Sequence, residues 1–317
     1  MIMQRVRSIF SPVVMLACVA MTWPLSDAAA KTLVVGPNEK IKLPSEAAKL
    51  VADGDTVEIE PMKDGYFDCA VWKANRLTIE GKGDGVVITD KACEGKALFV
   101  TAGNDITIRN ITFQRARVPD HNGAGIRIEG ANPRIEHSRF INNEDGILSS
   151  DSPDSTVTIL DSEFDDNGKC ESGCAHAIYI NHVALLHIEH CVFKDTKVGH
   201  HIKSRALRTE IIDNDIEDGP DGTASYLIDA PNGGSLIVKG NTMEKGPKAE
   251  NHSTAITIGE EGVTWRTKEI VISDNKFTND MSAQTFFVRN GTATPAVLTG
   301  NSFKGKIVPL EGDGSVH

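Results

Sequence analysis

The chain has 317 residues, with 33 Lys and Arg against 44 Asp and Glu, a formal net charge of −11. That acidic balance argues against nucleic acid as a partner. It also means that an anionic ligand needs a local basic site, because the surface as a whole repels it.

Residues 1–30 read as a secretory signal peptide. Arg5 and Arg7 precede an apolar stretch from Ile9 to about Trp23, and Ala28-Ala29-Ala30 supplies small residues for cleavage. The apolar run is short for a membrane span, so a secreted or periplasmic protein with no integral membrane segment is expected. Removing Arg5, Arg7 and Asp27 from 33 basic and 44 acidic residues leaves 31 and 43, a net charge of −12. Five cysteines remain, and an oxidising compartment permits disulfides. Cys69 and Cys93 are a candidate pair, as are Cys170 and Cys174, with Cys191 the odd thiol. A zinc site on Cys170, Cys174 and His176 is the rival, short of a four-ligand pattern.

Residues 31–317 read as one domain, a cap over about 31–60 followed by coils over about 61–310. In the cap, Leu33-Val34-Val35 is a short strand. Ser45 is placed to N-cap a helix through about Val51, with Glu46 in its first turn. Asp53-Gly54-Asp55 then turns into the strand Thr56–Glu60, and Leu77–Glu80 is the next strand.

From residue 106 the chain repeats. ITIRNITF (106–113), RIEHSRF (134–140), TILDSEF (158–164), HIEHCVF (187–193), EIIDNDI (210–216), IVKGNTM (237–243), VISDNKF (271–277) and VLTGNSF (297–303) each read as one strand. Their closing residues Phe113, Phe140, Phe164, Phe193, Ile216, Met243, Phe277 and Phe303 lie 27, 24, 29, 23, 27, 34 and 26 residues apart. Five positions earlier runs an aliphatic column from Ile108 to Leu298. A period in this range signals stacked units in which each repeat packs on its neighbours.

A second strand per repeat aligns as GIRIE (125–129), GILSS (146–150), AIYIN (177–181), HIKSR (201–205), YLIDA (226–230) and AITIG (255–259). Ile126, Ile147, Ile178, Ile202, Leu227 and Ile256 then share one inward position. Asn214, Asn241, Asn275 and Asn301 form a polar column that reads as a hydrogen-bonded stacking ladder. His137 and His190 share a column with Asn110, Asp161, Asp213 and Asp274, read as turn polarity. Asp213–Gly219 resembles the start of a calcium loop, but its glycine is one place late and no glutamate stands at the twelfth position; a turn between coils fits better.

Short turn–strand coils, a helical cap and Asn near the turn resemble the pectate-lyase-like superfamily over roughly residues 31–310. The resemblance implies an all-β fold, a right-handed parallel β-helix (solenoid) with a short N-terminal capping helix. Members include polysaccharide lyases, epimerases, glycoside hydrolases and non-catalytic adhesins, so the fold does not choose among them. The mannuronan epimerase motif Asp-Pro-His-Asp has no match; Pro119-Asp120-His121-Asn122 departs from it.

One strand breaks the repeat: Gly199-His200-His201-Ile202-Lys203-Ser204-Arg205. Side chains alternate between strand faces, so with Ile202 inward, His201, Lys203 and Arg205 are expected outward. On the neighbouring coils this makes a patch with Tyr179, Asn181 and Tyr226, two of the three tyrosines in the chain. Arg127 and Glu129 continue the same columns. His176 and His200 are a matched pair, with Asp145 one coil earlier, placed to stack, to bind a metal or to orient the outward residues.

Such a patch suits β-elimination on an acidic, uronic-acid-containing polysaccharide. Arg205 is placed to bind the carboxylate, Lys203 to act as base, and Tyr179 or Tyr226 as acid, with His201 a rival for either role. Asn181, Arg127, Glu129, His200 and His176 are the candidate substrate-binding residues. The resemblance implies that Lys or Arg can be the base in such lyases and that calcium is a candidate cofactor, although no acidic cluster is expected beside Lys203. A glycoside hydrolase needs converging carboxylates; Glu129 is outward, whereas Asp229 falls on the inward side unless the register shifts by one. A monomeric carbohydrate-binding scaffold with no catalysis is the non-enzyme alternative.

Overall fold

The computed structural model describes Ile2, residues 29–171 and residues 173–317. The expected signal peptide lies almost wholly outside the described residues. Among the described residues, no helix is long and apolar enough to cross a membrane.

The chain winds through three parallel sheets of twelve, nine and ten strands among the described residues. Successive coils add successive neighbours to each sheet, which makes a parallel β-helix. Each segment read above as one strand is in fact two. In the first, Thr107–Arg109 lies in the first sheet and Thr112–Gln114 in the second. The break falls at Asn110, whose φ is 58°. Its equivalents His137, Asp161, His190, Asp213 and Asp274 all have φ between 48° and 58°. A left-handed residue turns the chain sharply, and Asn and Asp tolerate it better than most. The polar column is therefore a row of corners.

Both hydrophobic columns hold in the register. Phe140 pairs in turn with Phe113 and Phe164, and Ile135 with Ile108 and Ile159. Phe113, Phe140, Phe164 and Phe193 stack with ring centroids 5.3, 4.7 and 4.7 Å apart. Beside the corners runs the asparagine ladder. Asn214 Nδ2 donates to Asn241 Oδ1 at 2.9 Å, Asn241 Nδ2 to Asn275 Oδ1 at 2.9 Å, and Asn275 Nδ2 to Asn301 Oδ1 at 2.8 Å. The same oxygens accept backbone N–H groups of the preceding coil, so these buried amides are satisfied as they must be.

The cap differs from expectation. Thr32–Val35 and Thr56–Ile59 are the first two strands of the first sheet, not a separate unit. The helix is a single turn, Pro44–Ala47, with Leu43 at its N-cap and no side-chain cap. Ser45 lies inside the helix because Pro44, with its fixed φ and missing N–H, takes the first position. The Ser45 N–H donates to Asp68 Oδ2 at 2.8 Å. Ala47 is buried, and Leu43, Ala48 and Val51 close the first coil.

Cys69–Cys93 and Cys170–Cys174 are disulfides, which removes the zinc alternative. Cys191 is free and buried, and burial pushes its thiol up to about 12.

Truncating one ring of the stack leaves a cavity between two rigid neighbours. Phe164→Ala is expected to cost about 3–5 kcal/mol in denaturant unfolding. Phe303→Ala, on a ring 37% exposed in a late coil, is expected to cost under about 1 kcal/mol. Equal losses would contradict a core held by coil stacking.

Candidate active site

The outer face of the third sheet carries the candidate site. Ile126, Ile147, Ile178, Ile202, Ile228 and Ile256 pair in one inward column. The sequence alignment had Leu227 in place of Ile228, one residue out. The correction moves Asp229 outward: it pairs with Lys203, which pairs with Tyr179.

The strand entry explains the error. Each coil buries two consecutive residues there, as at Gly146-Ile147, His201-Ile202 and Leu227-Ile228. The corner turns both side chains toward the core, so alternation starts one residue late. Gly146 shows how tight the position is: a Cβ would lie 3.0 Å from the Phe164 ring.

His201 is corrected for the same reason. It does not project outward but is fully buried, its ring 6.4 Å from Phe193. Its Nδ1 is 2.8 Å from Thr196 Oγ1 and its Nε2 2.9 Å from Asp218 Oδ1. It touches no groove and can be neither acid nor base for a polymer.

Lys203 and Arg205 do face the groove, and they share one carboxylate. Lys203 Nζ donates to Glu261 Oε1 at 2.8 Å, and Arg205 donates to Glu261 Oε2 at 2.6 Å. Lys203 also lies 3.4 Å from Asp229 Oδ2. Arg205 Nε donates to the Tyr179 hydroxyl oxygen at 2.9 Å, and its other arm holds Asn232 Oδ1. The Lys203 and Arg205 charges sit 5.6 and 5.7 Å from the Tyr179 ring centre, a cation–π arrangement that orders all three side chains.

Beside this column runs a second one. The Asp145 carboxylate accepts the His176 N–H at 2.7 Å, His176 Nδ1 accepts the His200 N–H at 2.9 Å, and His200 Nδ1 accepts the Tyr226 N–H at 3.2 Å. The two imidazoles stack at 4.6 Å. With Nδ1 accepting, the proton of a neutral His200 sits on Nε2, which lies 3.4 Å from Asp229 Oδ2. Burial, with Lys203 nearby, pulls His200 down to about 3, so it is neutral and orients Asp229.

Burial raises Asp229 to about 7, against the pull of Lys203. Its Oδ1 is buried with no hydrogen-bond partner among the described residues. Burial also disfavours ionisation of Glu261, but the hydrogen bonds from Lys203 and Arg205 outweigh it and hold its carboxyl below the usual range. Burial, then the Glu260 carboxylate, keeps the Tyr226 hydroxyl firmly protonated. Tyr226 belongs to the His200 column, not beside Lys203.

The other candidates are further off. The Asn181 amide donates to Ser149 O at 2.6 Å and is committed to the fold. Glu129 is paired with Lys96 at 2.6 Å. Arg127 lies in the outward column, three strands from Lys203, its Nε buried and without a partner among the described residues.

The loop after Ile258, with Glu260, Glu261 and Trp265, escaped the sequence reading. Backbone bonds from Glu261 to Pro231 O and from Thr264 to Asn232 O pin it to the preceding coil, and Trp265 Nε1 donates to Arg205 O at 2.8 Å. The 34-residue spacing from Met243 to Phe277, the longest of the series, was the available signal. With Asp229, this loop supplies the acidic cluster beside Lys203 that was not expected. On the loops before the third-sheet strands, His121 meets Glu171 at 2.7 Å. Among the described residues, Glu189, His190 and Asp213 are grouped closely enough to hold a metal ion; they sit at a corner between the first and second sheets.

No curated protein matches the chain in sequence. An alginate lyase from Paenibacillus sp. str. FPU-7 has a similar structure, with TM-score 0.61 and 12% identity over 90% of this chain and 99% of that one. The pectin methylesterase from Aspergillus niger is similar at TM-score 0.52 and 9% identity, over 90% of this chain and 92% of that one. At such identity the likeness is one of fold. The family model described as "Right handed beta helix region" matches residues 53–216, half of the chain, and the chain belongs to that right-handed β-helix family.

Proposed function

We propose that the protein cleaves an acidic polysaccharide by β-elimination at a uronate residue bound across Lys203 and Arg205. One observation carries this reading: these two side chains already grip a single carboxylate, that of Glu261, with one oxygen on each. A uronate carboxylate that displaces Glu261 finds the same two partners. Arg205 gives a charge-assisted bond to one oxygen, and the Lys203 amine beside the other becomes cationic as it takes the proton, so both stabilise the enolate-like transition state in which negative charge builds on that group.

Lys203 as free amine takes the proton α to the carboxylate. The C–O bond to the leaving sugar breaks, a C=C bond forms in the ring, and Tyr179 gives its hydroxyl proton to the leaving oxygen. The N–H of Arg205 on the Tyr179 oxygen stabilises the phenolate that remains. Proton return from Lys203 to Tyr179 restores the site. Asp229 supports the cycle: its carboxyl, raised by burial to about 7, lies 3.4 Å from Lys203 Nζ, within reach to exchange a proton with it. The alginate lyase neighbour makes alginate one member of the polymer panel.

A glycoside hydrolase is the second reading, favoured by Asp229 and Glu261 meeting on one ammonium with their acidities pushed apart. It is weaker because both Glu261 oxygens are occupied and Asp229 is buried. The products separate the two: elimination leaves an unsaturated, ultraviolet-absorbing uronide, and hydrolysis gives new reducing ends without it.

Assayed on a panel of acidic polysaccharides, with calcium and with chelator, Lys203→Ala and Arg205→Ala are each expected to lower the rate of unsaturated product by about 100-fold or more. Product formation that survives both would remove the site from the reaction. Glu261→Ala removes the internal competitor and is expected to lower KM several-fold; a raised KM would show that Glu261 helps to hold substrate.

The pH profile tests Asp229. Protonated Asp229 beside a charged Lys203 leaves no base, so kcat/KM is expected to rise with pH through about 7. Asp229→Asn should move that limb to higher pH; an unmoved limb would mean that Asp229 takes no part.

A further inference from the structure

Next to Arg205 the groove opens into a cleft of about 420 Å³, lined by Asp151, Pro153, His182, Thr264 and Trp265. Its size falls in the range of small-ligand pockets. It adjoins the carboxylate seat directly. By register, Asp151 and His182 follow the strand positions equivalent to Arg205 by one residue, two coils and one coil earlier. Coils stand about 4.8 Å apart, so a ring in the cleft is the neighbour of a ring on Arg205.

The lining has the chemistry of a sugar subsite. Trp265 is half-buried, and its indole is locked by the Nε1 bond to Arg205 O at 2.8 Å and by edge contact with His182 at 5.4 Å. A flat aromatic held in place before binding packs on the C–H face of a pyranose at little entropic cost. Pro153 adds apolar surface, and Thr264 with the Asp151–His182 pair, 3.0 Å apart, offers donors and acceptors to hydroxyl groups.

The charge is what selects. No Lys or Arg lines the cleft; Arg266 and Lys268, exposed on the same loop, are not part of its wall. Hydrogen bonds from the His182 backbone and ring hold Asp151 below the usual carboxylate range despite some burial. A second uronate would set its carboxylate against Asp151, and Arg205, the guanidinium near enough to act on Asp151, is already taken by the first uronate. Like charge at close range is a device for rejecting the wrong ligand.

We propose that this cleft is a subsite for a sugar ring without a carboxylate, so that the substrate is an acidic heteropolysaccharide in which the cleaved uronate is flanked by a neutral sugar, not a homopolymer of uronates. The inference rests on the elimination reading only for what occupies Lys203 and Arg205. Asp151 is largely exposed, so its repulsion is screened, and the discrimination is about tenfold, the scale of one well-placed contact.

The test is calorimetric binding of two defined oligosaccharides, one of uronates alone and one alternating uronate with neutral hexose. It uses the full chain carrying Tyr179→Phe so that neither is cleaved. The alternating oligomer is expected to bind about tenfold more tightly. Trp265→Ala should weaken binding of both oligomers while the preference, set by Asp151, remains. Asp151→Lys, on an exposed side chain that leaves the core untouched, should shift it toward the all-uronate oligomer. Equal or tighter binding of the all-uronate oligomer, a preference that survives Asp151→Lys, Trp265→Ala that leaves both affinities unchanged, or no binding of either oligomer would overturn the proposal. If the preference appears but the unaltered protein forms no unsaturated product, the elimination reading fails and the subsite stands. If it cleaves the all-uronate polymer just as well, the subsite fails and elimination stands.

Discussion

Each coil bonds its backbone to the coil before and the coil after, so a side chain lies over its equivalents about 4.8 Å away. That stacking constraint governs the molecule. It forces the interior to repeat, as in the Phe113–Phe193 ring stack and the Asn214–Asn301 ladder. It also makes any departure on the outer face a neighbour of the same position on the next coil. Tyr179, Lys203 and Asp229 are side by side for this reason alone. The three groups to which the elimination proposal gives the roles of acid, base and proton partner are gathered by register, with no special loop to place them.

The site resolves a charge problem. Two cations, a buried Lys203 and a half-buried Arg205, stand within three residues of each other in an acidic protein, and desolvating them unpaired would be costly. Asp229 and Glu261 offset that cost, one from the next strand and one from a loop 56 to 58 residues away. The two compensating groups differ in kind. Asp229 is packed under Lys203 with its acidity shifted by burial. Glu261 sits on an exposed loop and makes the contacts expected of a bound carboxylate. The pair of cations thus already holds the kind of negative charge that the proposed uronate would bring.

The repeat, the parallel solenoid and both hydrophobic columns were legible because apolar residues recur at fixed depth in every coil. The splitting of each segment into two strands was less visible, since a left-handed corner at Asn110 or His137 leaves only a polar residue as its mark. Lys203, Arg205 and Tyr179 stood out as chemistry that breaks a repeat. His201 and Asp229 were misplaced by one physical effect, the paired burial at each strand entry. Its trace in the sequence is the small residue before the isoleucine at Gly125, Gly146, Ala177 and Ala255. Glu261 and Trp265 were not legible, because a loop that folds back over another coil has no periodicity to announce where it lands.

The central claim is that a uronate carboxylate replaces Glu261 across Lys203 and Arg205. A crystal structure of the Tyr179→Phe protein with an acidic oligosaccharide tests it most directly. The account predicts a sugar carboxylate with one oxygen on Lys203 Nζ and the other on the Arg205 guanidinium, and Glu261 swung away from both. An oligosaccharide bound while Glu261 keeps its two contacts, or bound on another face of the helix, would contradict it.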